Sequence, residues 1–439
     1  MEDKLAIQGG TPVVPQDLKR RWPDIRAEDK AAVMAVLDRG ELTGITGVEA
    51  TSLEREWADR LGVAHAVLFN TGTAAIHAAL YAVGVEAGDE VITTAFTFSG
   101  TFQAVLHQGG IPVFVDIDPH TYNLDPAHIE ARITPRTKAI LPVHIHGMPC
   151  DMDAIMDIAR RHSLAVVEDA AQAHLATYKG RYAGTIGDAG AFSVQATKNF
   201  SGIEGGFVVS DDAEVAAAAR RIRTYGEDIA DGSDLGGWYF RPYTVFSVGW
   251  NYRSNELSAA FARSQLRRLD EYTAIAQSNG RFLNDALSEI PGLAPPIEPA
   301  GCTSVFHKYR VRFDVEQLGV DVPAVEFRGQ LMAALRAEGV DAVLWHTQPV
   351  TSFPVHQTHA GFGRGYPWNL APGAGKVDPD EYPQANALLD SSLIVCDELH
   401  PIMIQPPELM EAYAAAFQKV LRDPRVLVGD YAQSVSART

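Results

Sequence analysis

Between residues 53 and 209 the chain switches repeatedly between two hydrophobic periods. Apolar positions three or four apart, as in LEREWADRLG at 53–62, predict amphipathic helix. Short runs rich in β-branched and aromatic residues, as in HAVLFN at 65–70, predict strand. On this basis helices cover 53–62, 73–84, 100–110, 125–133 and 152–162. Strands cover 65–70, 90–95, 111–118, 137–145, 164–170, 190–195 and 205–210. Strands spaced by helices in this way predict an α/β fold, a mostly parallel central sheet flanked by helices. Ligands of such sheets sit beyond the carboxyl ends of the strands, so chemistry is sought there.

The pattern then changes. Residues 211–225 read as helix, 226–249 as a loop rich in glycine and aromatics, and 255–287 as one long helical stretch. After Pro291 a proline-rich linker, 293–301, leads to a strand at 306–313 and a helix at 324–339. A long loop at 345–378 and a final helix at 406–423 follow. The expected organisation is a large domain at 1–285, opening with an arm at 1–50, and a smaller α+β domain at 286–439.

Composition narrows the partners. The chain is 46% hydrophobic and 21% charged, enough to build a large core. Its formal net charge of −18 argues against nucleic acid or an anionic membrane as partner, since both want a basic footprint. A small anion held by a few aimed donors stays open. No apolar stretch is long enough for a membrane span and the N-terminus does not read as a signal peptide, so a cytoplasmic protein is expected. Cys150, Cys302 and Cys396 are far apart and odd in number, which builds no disulfide framework and no C-x-x-C metal pair.

Four places carry candidate chemistry. Strand 164–170 ends in Glu168-Asp169, followed by AAQAH; an acid there is either a paired structural carboxylate or the partner of a protonated ring nitrogen, as in pyridoxal phosphate sites. Lys198 stands between two apolar strand-like segments, and a desolvated lysine has a lowered pKa and can form a Schiff base. Lys308, in the basic run FHKYR, is the next candidate amine. The turn Asn70-Thr71-Gly72-Thr73-Ala74-Ala75 opens a helix whose free N–H groups suit an anion. Phe98, just past the strand at 90–95, is either core or a plate for a planar ring. His144 and His146 in VHIHG, and His346, His356 and His359 in the tail loop, show no third ligand at fixed spacing, so no metal is expected. The tail histidines read as substrate-facing or exposed.

Taken together, a phosphate turn, an aromatic, an aspartate and a lysine in this order resemble the DegT/DnrJ/EryC1/StrS family. These are fold-type I, pyridoxal 5'-phosphate (PLP)-dependent sugar aminotransferases. The resemblance implies Asp169 as the pyridinium partner, Gln172 as a contact to the ring hydroxyl, and Lys198 as the Schiff-base lysine. It further implies Gly72, Thr73, Ala74 and Ser193 at the phosphate, and Phe98 as the stacking ring. GWNYRSNELSAAFARSQLRRLDE is similar to a segment crossing a homodimer interface, which would send Asn251 and Arg253 to the neighbouring subunit's phosphate. LAIQGGTPV, TYNLDP, TPRTKAILPVH and CDMDAI are most similar to the glutamine-dependent cyclitol aminotransferases and the 3-amino-5-hydroxybenzoate synthases. The implied activity moves an amino group from L-glutamine or L-glutamate to a keto-cyclitol or keto-sugar in antibiotic biosynthesis. A dehydrating, aromatising lyase is the alternative. Thr224-Tyr225-Gly226 departs from the family, where His-Gly is common.

Overall fold

The computed structural model describes residues 4–44, 47–228, 244–371 and 377–428. Nine strands form the first part of the chain: β1 (His65–Phe69), β2 (Glu90–Thr94), β3 (Ile111–Val115), β4 (Thr137–Ile140), β5 (Ala165–Asp169), β6 (Thr177–Tyr178), β7 (Arg181–Tyr182), β8 (Ala189–Ser193) and β9 (Gly206–Ser210). Seven of them make the central sheet, in the order β1-β9-β8-β5-β4-β2-β3. Only β9 runs against its neighbours; the other pairings are parallel. Every residue of β2, β8 and β9 is buried, because helices cover both faces of the sheet.

The helix Gly72–Ala82 lies on one face and is buried almost all round; its alanines let it sit close to the sheet. On the other face Trp57 packs among Phe192, Phe200 and Phe207. Helix starts follow local chemistry: Thr71, Asp151, Asp212 and Asn255 each accept a backbone N–H from their own first turn.

Five short strands follow: β10 (Leu293–Ala294), β11 (Cys302–Thr303), β12 (Tyr309–Phe313), β13 (Ala342–Val343) and β14 (Ser392–Val395). An antiparallel sheet in the order β10-β12-β14-β13 packs against the helices Leu269–Ser288, Ala324–Ala337 and Pro407–Val420. Leu5, Val14 and Trp22 from the N-terminal arm enter the same apolar cluster.

Three expectations are corrected. Residues 125–133 form two 3-10 turns, Pro126–His128 and Glu130–Arg132, because Ile129 is the one fully buried anchor and Pro135 soon forces extended backbone. The stretch 255–287 is two helices, Glu256–Leu266 and Leu269–Ser288. At the break the Arg268 guanidinium turns inward to Asp29 (2.8 Å) and the Tyr272 hydroxyl (2.9 Å). The loop 345–378 carries a short helix, Pro354–Thr358, and is followed by an unforeseen helix, Pro383–Asp390, leading into β14. Residues 229–243 and 372–376 of the two long loops lie outside the described residues.

Glu256 ties the first helices together. Its buried carboxylate accepts the N–H groups of Glu49 (2.9 Å) and Ala50 (2.8 Å) at the start of the helix Val48–Leu61. Glu256→Ala removes both acceptors and should cost about 2–3 kcal/mol in urea unfolding. An unchanged midpoint contradicts this.

Candidate active site

β5 ends in two acids whose side chains leave opposite faces of the strand. Glu168 points into the protein. It accepts hydrogen bonds from the N–H groups of Gly184 (2.8 Å), Ile186 (2.5 Å) and Gly187 (2.7 Å), and from His144 Nε2 (2.8 Å). His144 Nδ1 accepts the Cys150 N–H (3.0 Å), which leaves Nε2 to donate to Glu168. Burial alone would push Glu168 up, but these donors hold it below the ordinary carboxylate value. Glu168 is a structural carboxylate.

Asp169 faces a cavity of about 410 Å³ beyond the carboxyl ends of the strands. Thr101 Oγ1 donates to one oxygen (2.7 Å) and the Ala171 N–H to the other (3.1 Å); Thr97 Oγ1 supports Thr101 at 2.7 Å. Two donors do less than the four on Glu168. Burial therefore pushes the Asp169 carboxyl above its ordinary value, against the pull of Thr101, Ala171 and the charge on Lys198.

Lys198 sits in the connection from β8 to β9 and lines the same cavity. Burial pulls its amine down to about 8, although Asp169 attracts its charged form. The antiparallel return of β9 is what allows this short connection and places it beside Asp169, which is paired with Ala191 of β8.

Strand register also builds the anion end. Phe69 pairs with Gly206, and Gly206 pairs with Ser193, so the turn after β1 arrives at the end of β8. Thr71 caps the following helix by accepting the Ala74 N–H (3.0 Å), and its carbonyl accepts the Ala75 N–H (3.1 Å). The N–H groups of Gly72 and Thr73 remain for a ligand. A Cβ on Gly72 would lie 2.6 Å from Ser193 Cβ, so only glycine lets the cradle close on the Ser193 hydroxyl.

Of the ten residues expected at the site, Gly72, Thr73, Phe98, Asp169, Gln172, Ser193 and Lys198 line the cavity. Gln172 Oε1 accepts the His146 N–H (2.8 Å), which leaves its NH2 group to donate into the cavity. Phe98, 54% exposed, stands at the edge with its ring 6.3 Å from that of His346. Ala74 lies behind the wall, its N–H engaged by Thr71. Asn251 and Arg253 are outside the cavity wall: Asn251 Oδ1 accepts from Arg253 Nε (2.7 Å), and the Arg253 guanidinium lies over the Tyr225 ring.

The cavity also recruits residues not expected there. His307, Lys308, Trp345 and Glu398 close it from the C-terminal sheet and its loops. Lys308, ranked below Lys198 from sequence, shares the cavity with it. The only signal was FHKYR opening a strand whose partner strand was not foreseen. The tail histidines separate: His346 reaches Phe98, His359 stacks on Trp368, and His356 is core between Phe102 and Phe114. Burial of His356 corrects the expectation of an exposed or substrate-facing ring.

The model of the DegT/DnrJ/EryC1/StrS aminotransferase family matches residues 23–365. The chain belongs to this family. It is 35% identical over 432 residues to the L-glutamine:scyllo-inosose aminotransferase of Streptomyces griseus, covering 97% of this chain and 99% of that one. It is 39% identical over 343 residues to the spore coat polysaccharide biosynthesis protein SpsC of Bacillus subtilis, covering 77% and 85%. A solved 3-amino-5-hydroxybenzoic acid synthase superposes with a TM-score of 0.79 at 29% identity, covering 93% of this chain and 100% of that chain. The fold-type I expectation therefore holds for this DegT/DnrJ/EryC1/StrS member. Among the described residues no helix is long and apolar enough to cross a membrane.

Glu168 sets a testable pH dependence. Glu168→Gln puts an NH2 group among four donors and should cost about 1–3 kcal/mol in urea unfolding near neutral pH. The folded-state pKa is lowered, so the stabilisation is present above the ordinary value of 4.5 and is lost as pH falls through the lower folded value. The gap between wild type and variant should narrow on acidification below about 4.5. A gap that stays constant, or widens, rejects the role.

Proposed function

We propose that this family member is a PLP-dependent aminotransferase that moves an amino group from L-glutamine or L-glutamate to a keto-cyclitol or keto-sugar. The observation that carries this is the pairing of Lys198, an amine pulled down to about 8, with Asp169, a buried carboxylate only partly satisfied, in one cavity. The donor set fits the cofactor. The cradle of Gly72, Thr73 and Ser193 suits a phosphate, Asp169 suits a ring nitrogen and the Gln172 amide suits a ring hydroxyl. Phe98 offers a ring face at the mouth. When bound, PLP supplies an electron sink next to the substrate carbon.

The chain's residues do the rest. Asp169, aimed by the Thr101 hydroxyl, would hold a proton on the ring nitrogen. Lys198 Nζ would hold the cofactor through its carbonyl carbon. As a free amine it would accept the proton from the donor's Cα as general base and give it up again, as general acid, on the cofactor side of the new C–N bond. An amine near 8 is largely protonated at neutral pH yet releases its proton within reach of it, which suits a group that must both accept and donate.

Support for the cyclitol class comes from the Streptomyces griseus relative, aligned over nearly its whole length. We further propose a cytoplasmic homodimer in which Asn251 and Arg253 reach the partner's phosphate cradle. In its favour, Asn251 is exposed and neighbours the exposed side chains of Phe246 and Trp250.

Reconstitution with PLP should give a visible Schiff-base band that fades on adding L-glutamine or L-glutamate. Lys198→Ala should show no such band and lose at least about 10²–10⁴-fold in kcat with scyllo-inosose as acceptor. Turnover retained in Lys198→Ala, or a wild-type protein that stays colourless with PLP, sinks the proposal.

A further inference from the structure

Among the described residues two ammonium groups line the cavity, Lys198 and Lys308, and no arginine does. His307 lines it as well, but burial holds its ring well below the ordinary value, so it is neutral, with Nδ1 at 2.9 Å from Asn199 Oδ1. Lys198 is committed to carbonyl and proton-transfer chemistry. Lys308 is the other cation among the described residues of the wall. It is fixed by sheet register: Tyr309 of β12 pairs with Val395 of β14, so Lys308 opposes Cys396 and the loop bearing Glu398. Lys308 Nζ donates to Glu398 Oε1 at 3.0 Å.

The two partners differ in freedom. The Lys308 side chain is 8% exposed, that of Glu398 53%. Burial pulls the Lys308 amine below its ordinary value, and a buried ammonium stripped of its anion is costly, so the charged form favours an anion beside it. Glu398 loses little by swinging into water, since an exposed carboxylate is well solvated. An incoming carboxylate can therefore replace it.

We propose that Lys308 anchors the α-carboxylate of the amino donor, and that Glu398 fills the anchor when no donor is bound. This rests on the reading of the protein as an aminotransferase with an amino-acid donor. It explains how one cavity takes two unlike substrates in turn. The amino acid brings a carboxylate and displaces Glu398. The keto-cyclitol is neutral and leaves the Lys308–Glu398 pair closed, with a carboxylate oxygen of Glu398 ready to accept a ring hydroxyl.

The test uses PLP-loaded protein and follows the visible band with L-glutamine, L-glutamate and the α-carboxamide of each. Wild type should prefer the carboxylate form by about 10–100-fold in kcat/KM of the first half-reaction. Lys308→Met should lose most of that preference with the resting band unchanged, and Lys308→Arg should retain it. Glu398→Gln should lower the donor concentration at half-saturation. If Lys308→Met keeps the wild-type preference, Lys308 is not the anchor. Should Lys308→Met fail to fold, an unchanged half-saturation in Glu398→Gln overturns the exchange. A wild-type band that ignores both amino acids overturns the donor reading itself, a result distinct from either variant outcome.

Discussion

A carboxylate and an amine buried in one cavity constrain each other. Burial pushes the Asp169 carboxyl up against the pull of Thr101, Ala171 and the Lys198 charge, and Lys198 would lose its proton more readily without Asp169. Neither is paired as tightly as a structural ion pair, and that incomplete compensation keeps both available for chemistry. The sheet exists in the form that brings them together. β5 delivers Asp169 at its carboxyl end, β8 runs parallel beside it, and β9 returns antiparallel to β8, with Lys198 in the connection. The same reversal places Ser193 next to Gly206 and Phe69, which brings the helix N-terminus at Gly72 to the other end of the cavity.

Neighbouring acids show how environment assigns roles. Glu168 and Asp169 are consecutive and both buried, yet the first meets four donors and is held ionised, while the second meets two and is pushed up. Strand alternation alone decides which of them faces the ligand. A net charge of −18 is no obstacle to an anionic ligand, because the cradle relies on backbone N–H groups and a hydroxyl rather than on basic side chains.

Much of the fold was legible because the strands β1–β5, β8 and β9 are short stretches rich in β-branched and apolar residues, separated by turn residues and caps. The site was legible where its residues fall at strand ends, as Asp169 and Ser193 do. Lys198 stood out because a lysine between two apolar runs has few bland explanations. What escaped sequence reasoning depends on long-range pairing. β14 is four residues long, and its pairing with β12 is what carries Lys308 and Glu398 to the cavity. The break at Arg268 escaped for a similar reason: helix periodicity continues through it, and the Glu28 and Asp29 carboxylates, distant in sequence, draw the arginine inward. His356 misled because a histidine in a polar loop reads as exposed, whereas folding closes Phe102 and Phe114 over it.

Lys198 and Asp169 share one desolvated cavity and bias each other's protonation. Amine-selective labelling of the cofactor-free protein across pH, with the modified residue identified by mass spectrometry, reads this directly. Lys198 should label with a midpoint near 8, and Asp169→Asn should move that midpoint lower, because an attracting charge has been removed. A wild-type midpoint at the ordinary lysine value of 10.5, or one indifferent to Asp169→Asn, would contradict the account.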